Sequence, residues 1–384
     1  MNVPKLRFKE FTDEWQKVKI SSFVNESKRK TGDIKKYPLW SLTIENGVTP
    51  KTDRYERSFL VKKEDNYKIV YPNYYVYNPM NAHLGAIARN KSDKSISVSG
   101  YYDIFSINND YYGFYDNYFI SPVMFKKYKL ISSGSLLEKQ RVHYSQFKEL
   151  KIYLPSDKEQ EKIAKLLSLL DKKIALQTKK IETLKLFKLS ITQNIFNEKK
   201  LNDFQSVTLE KILKPGSKIP VKNTSEYEKM TVKLNFKGLA KLEIKKEMAD
   251  TRPFYVRNEN EIIIGKQNYF NGSIAKVTKD FKGCICSNAI MSFTTINGVN
   301  VDYVLYYLSQ KNYINRRKFL ANGTGQKELS EKEFLKFVIK LPSTQIQNDI
   351  SKKISCVSNL LLLENKKLTT LNNLKKGLLQ NLFI

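Results

Sequence analysis

The sequence predicts an α+β protein: two β-rich globular domains related by pseudo-twofold symmetry, joined by two long antiparallel α-helices that form a coiled-coil spacer. Three observations predict it. The chain repeats itself at an offset of 187 residues, each repeat ends in a long heptad-patterned segment, and the stretches between are rich in β-branched and aromatic residues. At 384 residues the chain is long enough for two or three domains. The first β-rich domain spans residues 1–153 and the first helix 154–200; the second domain spans 201–340 and the second helix 341–384.

The helices carry the repeat most openly. Leu154–Phe196 lies over Leu341–Phe383 without a gap; both open on Leu-Pro-Ser and close on Gln-Asn-x-Phe. Apolar residues in the first copy fall at Ile163, Leu167, Leu170, Ile174, Ile181, Leu184, Ile191 and Ile195. The second copy has Ile350, Ile354, Val357, Leu361, Leu368, Leu371, Leu378 and Leu382. Polar residues interrupt both seams at the same places, Gln177 and Lys188 in one, Glu364 and Lys375 in the other. Steps of four and three predict a coiled-coil seam, and matched interruptions set its register. Pro155 and Pro342 hold the preceding residue extended, and Ser156 and Ser343 then serve as N-caps. Ser156 with Glu159 forms an expected capping box. Asp157, Glu159 and Glu161 crowd the first turns while Lys185 and Lys188 lie near the far end, as the helix dipole favours. About 40 residues make a rod of roughly 60 Å. The second domain leaves the end of rod one and feeds the start of rod two, which favours antiparallel packing with a domain at either end.

The domains read as β-rich. Strand signals lie in Tyr67–Tyr77, Ser95–Ile107, Glu261–Ile264 and Ser273–Val277, while Asp302–Leu320 reads as helix. Trp15-Gln-Lys-Val-Lys-Ile lies over Phe204-Gln-Ser-Val-Thr-Leu, so the domain starts repeat as well. Beyond that the domains agree poorly: 16 of 23 Tyr fall between Tyr37 and Tyr153. Diverged heads on retained rods are expected to read different things.

Lys+Arg outnumber Asp+Glu by 67 to 38, a net charge of +29, which points to a polyanion such as nucleic acid. Only ten of those bases are Arg, and the chain is rich in Asn, Ile and Tyr, so an AT-rich coding sequence is a second source of the excess. Each rod nets +4 and the rest of the chain +21, so the domains are expected to touch the polyanion while the rods space them. Candidate reading groups in the first domain are Lys28, Arg29, Lys30, Asn46, Lys51, Arg54, Arg57, Arg89 and Lys91. Those in the second are Lys218, Lys222, Arg252, Arg257, Lys266, Gln267, Asn268 and Asn271. Arg and Lys suit guanine edges and phosphates; Asn and Gln suit adenine. Any one of these is equally an ordinary solvated side chain, and the Tyr of the first domain fit a packed core as well as a stacking surface.

Several function classes are excluded. Neither G-x-x-x-x-G-K-[ST] nor G-x-G-x-x-G occurs, so no nucleotide-binding loop is expected. Asn78-Pro79-Met80-Asn81 lacks the second Pro and the aromatic of an amino-methyltransferase loop and reads as a turn. Glu243-Ile244-Lys245 resembles a nuclease triplet without its anchoring Pro-Asp. Three cysteines (Cys284, Cys286, Cys356) and two histidines (His83, His143) make neither a disulfide framework nor a zinc site. The cysteine usage, an N-terminus without an apolar core, and the lack of an 18-residue apolar run predict a cytoplasmic, non-membrane protein.

These residues resemble the specificity subunit of type I restriction-modification enzymes over essentially the whole chain. The resemblance rests on Val3-Pro-Lys-Leu-Arg-Phe8 followed by Trp15, the two Leu-Pro-Ser starts, the two Gln-Asn-x-Phe ends, and Gly323-Thr-Gly-Gln326 before the second helix. The first copy departs at this last segment, where Ser133–Arg141 is longer by two residues. The resemblance implies two target-recognition domains, each reading half of a bipartite duplex DNA site across an unread gap. It adds Arg141, Gln326 and Lys327 to the candidate DNA contacts. It implies no catalysis by this chain and no cofactor within it. Two modification subunits would use S-adenosylmethionine, and restriction subunits would use ATP and Mg²⁺. The residues alone leave a second class open, a non-catalytic coiled-coil nucleic-acid-binding scaffold; a stand-alone methyltransferase or nuclease would need S-adenosylmethionine binding or metal-dependent cutting by this chain.

Overall fold

The computed structural model describes residues 2–51, 67–133, 140–242, 252–318 and 328–384. The chain divides into two compact units, Met1–Lys179 with Asn365–Ile384, and Lys180–Glu364. Each unit therefore holds one head and a stretch of both long helices.

Unit 1 is built on a four-stranded antiparallel sheet in the order Val24–Ser27, Asp103–Ile107, Tyr75–Tyr77, Ile87–Arg89. A three-stranded sheet (Lys30–Thr31, Tyr67–Val70, Ile96–Ser99), a hairpin (Trp40–Thr43 with Gly47–Pro50) and a terminal pair (Gln16–Lys19 with Lys151–Leu154) complete it. The stretch Tyr67–Tyr77 forms two strands rather than one. Pro72 lacks an N–H to donate, and Asn73 takes φ +66°, a left-handed turn that Asn tolerates. Ser95–Ile107 splits likewise into Ile96–Ser99 and Asp103–Ile107. The abundant Tyr are largely core: Tyr75, Tyr77, Tyr115, Tyr118 and Tyr128 are buried among Phe105, Phe119 and Phe147. Their hydroxyls find partners, as polar groups in a core must: Tyr77 donates to the Val142 carbonyl at 2.8 Å and Tyr128 to that of Phe119 at 3.0 Å.

Unit 2 repeats this order with Leu213–Pro215, Ile290–Thr295, Ile262–Gly265 and Ile274–Lys276. It has the same hairpin (Met230–Val232 with Leu239–Lys241) and the same terminal pair (Gln205–Thr208 with Val338–Leu341). The expected helix Asp302–Leu320 is two pieces over its described part, Val301–Leu308 and Lys311–Asn315. Ser309 and Gln310 end the first by donating to the carbonyls of Leu305 and Tyr306 at 2.7 and 2.6 Å.

The heads agree more than their sequences suggest, and at the same offset as the helices. Asn73 and Asn260 both take positive φ; their N–H groups donate to Asn90 and Val277, each at 2.9 Å. Gly85 and Gly272 both close a 3-10 turn in the left-handed region. Val142 N–H donates to the Pro79 carbonyl, and Leu329 N–H to that of Lys266. Side chains have diverged around a retained hydrogen-bond frame.

The long helices span Asp157–Ile195 and Thr344–Asn381. The heptad seam is their shielded stripe, and Gln177, Lys188, Glu364 and Lys375 lie on it. Both units show antiparallel pairing. In unit 1, Ile163 and Leu167 share a core with Phe383 and Leu382, and further along Asp171 meets Lys375 at 2.6 Å. In unit 2, Lys180 meets Glu364 at 2.9 Å, and Phe196 and Ile350 both pack against that unit's core.

The helix starts hold a correction and an addition. Glu159 does not complete a capping box: both its carboxylate oxygens accept from Arg7, each at 2.8 Å, and the carboxylate is buried. Arg7 satisfies a buried charge that Ser156 could serve only through one backbone N–H. The addition is a glutamine at the same place in both copies. Gln160 donates to the Pro155 carbonyl at 3.0 Å and Gln347 to the Pro342 carbonyl at 2.8 Å, both buried.

Candidate nucleic-acid interface

In unit 1 the strand Val24–Ser27 and the turn after it meet the Tyr71–Tyr74 turn around a cavity of about 460 Å³. Arg29 donates to the Tyr71 hydroxyl at 2.9 Å, with its guanidinium 5.6 Å from that ring. Tyr71 and Tyr74 make an edge contact at 5.3 Å. The result is an open wall of arginine and aromatic faces, with exposed Lys28 and Asn25 at its rim. Lys28 faces Glu26 at 3.8 Å and is mostly in water. Lys30, Asn46 and Lys51 are exposed; the Asn46 N–H donates to the Thr43 hydroxyl oxygen at 3.1 Å.

One candidate in unit 1 is corrected in role. Arg89 is not a loop residue. It ends the strand Ile87–Arg89 and grips Asp116 with two hydrogen bonds, at 3.1 and 3.0 Å. Lys91 pairs with the same carboxylate at 3.2 Å. The Tyr75 hydroxyl donates to Asp116 at 2.9 Å, and burial pushes that phenol well above its usual range. Arg89 thus ties sheet to helix. Its counterpart Lys276 does the same with Asp302 at 2.6 Å. Arg141 is exposed and bridges by backbone to Ser133.

In unit 2 the candidates gather around Lys266. One cavity of about 260 Å³ is lined by Arg252, Lys266, Gln267 and Asn268. Another of similar size is lined by Lys218, Tyr255, Lys266 and Asn288. The 3-10 turn Tyr269–Asn271 presents this edge, and Asn271 donates to the Asn268 side chain at 3.1 Å. Lys218 leans on Glu331 at 2.9 Å and Lys266 on Glu328 at 3.9 Å, both at an open surface. Lys222 is exposed and lines neither cavity.

Arg257 is corrected outright, because it is 3% exposed. Its Nε donates to Cys286 Sγ at 3.1 Å and its Nη1 to the Ser217 carbonyl at 3.0 Å. Burial pushes the Cys286 thiol up, and the guanidinium partly opposes that. Buried Glu261 accepts from the N–H and the side chain of Asn258 and from the Ser292 hydroxyl. Gly216 makes this knot possible: a Cβ there would stand 2.5 Å from the Ser292 oxygen. The knot holds the Ser217–Lys218 turn in place. Arg54, Arg57, Gln326 and Lys327 lie outside the described residues, as do Gly323-Thr-Gly-Gln326 and Glu243-Ile244-Lys245.

Sequence reasoning missed Tyr71, Tyr74, Tyr255 and Asn288 as lining groups. Tyr71 and Tyr74 had a usable signal, their places on either side of the Pro72-Asn73 turn. Each head therefore offers a shallow, basic, aromatic-edged surface on turn residues, suited to gripping phosphates and reading base edges. Among the described residues no three His, Cys, Asp or Glu gather to hold a metal, and no helix is long and apolar enough to cross a membrane.

Two basic heads of one topology, each on a segment of an antiparallel helix pair, define a duplicated two-headed architecture. The family described as type I restriction modification DNA specificity domain matches residues 12–186 and again 196–373. The chain belongs to that family. Among curated relatives it is similar to the type I restriction enzyme MjaVIII specificity subunit of Methanocaldococcus jannaschii, 32% identical over 126 residues. That match covers 33% of this chain and 28% of the relative. A putative MjaX specificity subunit of the same organism is 26% identical over 267 residues, 62% of this chain and 59% of the relative. The chain thus aligns with less than two thirds of either relative's length. Its fold is that of a type I restriction-modification S subunit from M. genitalium, with a TM-score of 0.63 at 17% identity, covering 100% of this chain and 99% of that one. A chain from a type I restriction-modification assembly gives 0.53 at 13% identity, covering 95% and 96%.

Proposed function

We propose that this chain is the DNA-specificity subunit of a type I restriction-modification complex. In this reading each head recognises one half of a bipartite duplex site, and the paired helices set the gap between halves. Phosphate contacts from Lys28, Lys30, Lys218 and Lys222 fix register, while Arg29, Arg252, Gln267 and Asn268 approach base edges. The chain does no chemistry itself. Two modification subunits bring S-adenosylmethionine and methylate adenine; restriction subunits bring ATP-driven translocation and Mg²⁺-dependent cleavage. The observation that carries the reading is the family match to both halves of the chain, each half bearing its own basic cluster.

The test is a genome-wide map of methylated adenine in the host with and without this gene. One bipartite motif should vanish on deletion. Replacing residues 25–144 with the matching stretch of another family member should change one half of that motif and leave the other intact. A motif that survives deletion, or changes in both halves, overturns the reading.

A further inference from the structure

The two long helices carry the same lysine at the same seam position but give it different neighbours. In unit 1, Lys375 meets Asp171 at 2.6 Å. In the other copy the lysine is Lys188, and the residue at the Asp171 position is Ser358. The Ser358 hydroxyl donates to the Ile354 carbonyl at 2.8 Å. Among the described residues no ion pair or hydrogen bond engages the Lys188 amine.

Lys188 lines a cavity of about 540 Å³ within unit 2. Phe236, Leu239, Phe281 and Leu305 make one part of its wall, and uncharged polar groups such as Thr278, Ser309 and Asn359 line the rest. The hydroxyls of Tyr306 and Ser355 bond each other at 2.9 Å. The other charges there, Lys276 and Asp302, neutralise one another at 2.6 Å. One ammonium is left without a counter-charge, and burial pushes it below its ordinary range. Half-desolvated cations are retained at a cost unless something pairs with them.

The chemistry of the walls discriminates between anions. A nucleic-acid phosphate site gathers several cations or backbone donors at an open surface. This cavity offers one uncompensated cation beside an apolar patch, with only uncharged or mutually paired polar groups around it. A carboxylate carried beside an apolar side chain fits both features, and in unit 1 the chain supplies that carboxylate itself, from Asp171. We propose that the Lys188 cavity is a docking site for a partner protein, taking an acidic side chain against Lys188 and a neighbouring apolar side chain against Phe236 and Phe281. Resting on the functional reading above, the partner is a modification subunit. The site then distinguishes the two copies, because the equivalent lysine of the other is already occupied.

The test measures affinity of the purified modification subunit encoded beside this gene for the full chain and for two variants. Ser358→Asp supplies the missing carboxylate from within and should weaken binding at least tenfold while raising the melting temperature, so misfolding cannot explain the loss. Lys188→Gln should weaken binding similarly and leave duplex DNA affinity of the chain alone unchanged. If the unaltered chain binds no modification subunit, the functional reading and this proposal both fall. If it binds and both variants bind equally well, the proposal alone falls. Loss of DNA affinity in Lys188→Gln with subunit binding intact overturns it in favour of a phosphate site.

Discussion

Lys188 shows how one uncompensated charge couples to stability. Its amine sits below the ordinary lysine value of 10.5 because burial disfavours the charged form. Between that lowered value and 10.5 the unfolded chain holds a proton that the folded chain has released. Stability therefore rises with pH through this window, and the full penalty applies at neutral pH, where both states carry the charge. Lys276, Asp302 and Tyr306 line the same cavity, but the first two are paired and cancel. Lys188→Met should stabilise the protein at pH 7, with the gain shrinking as pH approaches 10.5. Urea midpoints of both proteins across that range check it, and a gain independent of pH would assign the effect to packing. Charge alone did not reveal such roles in the sequence. Arg89 and Arg257 read like surface bases; only the fold shows that Asp116 and Cys286 claim them. A guanidinium's destination depends on which acceptors tertiary contacts bring near, and spacing along the chain does not encode that.

At the scale of elements, the paired glutamines govern how each long helix begins. Gln347 donates to the Pro342 carbonyl and accepts from the Asn300 N–H at 2.9 Å, which ties the helix start to the head. Gln160 donates to Pro155, and its buried Oε1 has no hydrogen-bond partner among the described residues. Gln347→Ala strands one buried and one half-buried backbone group and should cost about 2–3 kcal/mol; Gln160→Ala strands one and should cost about 1–2 kcal/mol. Equal losses in chemical denaturation would show that the Asn300 link contributes nothing. The helices were legible because a heptad stripe repeats over ten positions, enough to register even its polar gaps. The strands were legible in part: Glu261–Ile264 and Ser273–Val277 fall on single strands, but Tyr67–Tyr77 and Ser95–Ile107 each hide a break, because most strands run three or four residues and stop at turns made by single residues such as Asn73 and Asn260. Those two, with Gly85 and Gly272, carried the repeat into the heads, but isolated matches amid diverged side chains do not stand out.

For the whole molecule, the proposed ruler role makes a metric prediction. One heptad inserted after Lys179 and one after Glu364 keeps the seam in phase and lengthens the spacer by about 10 Å. At about 3.4 Å per base pair the methylated site should gain roughly three unread positions, with both half-sequences unchanged. Methylation mapping reads this directly, and unchanged spacing would reject a rigid spacer.

The division into units also bears on the order in which the protein is made. Residues 180–364 are continuous, so unit 2 has all its parts once Glu364 has left the ribosome. Unit 1 cannot close: its core includes Leu382 and Phe383, and Leu6 N–H donates to the Asn381 carbonyl. The first head synthesised is the last to be sealed, and until then its aromatic interior depends on whatever shields nascent chains. A chain stopped after Glu364 should give protease a protected fragment from the later head and none from the earlier one.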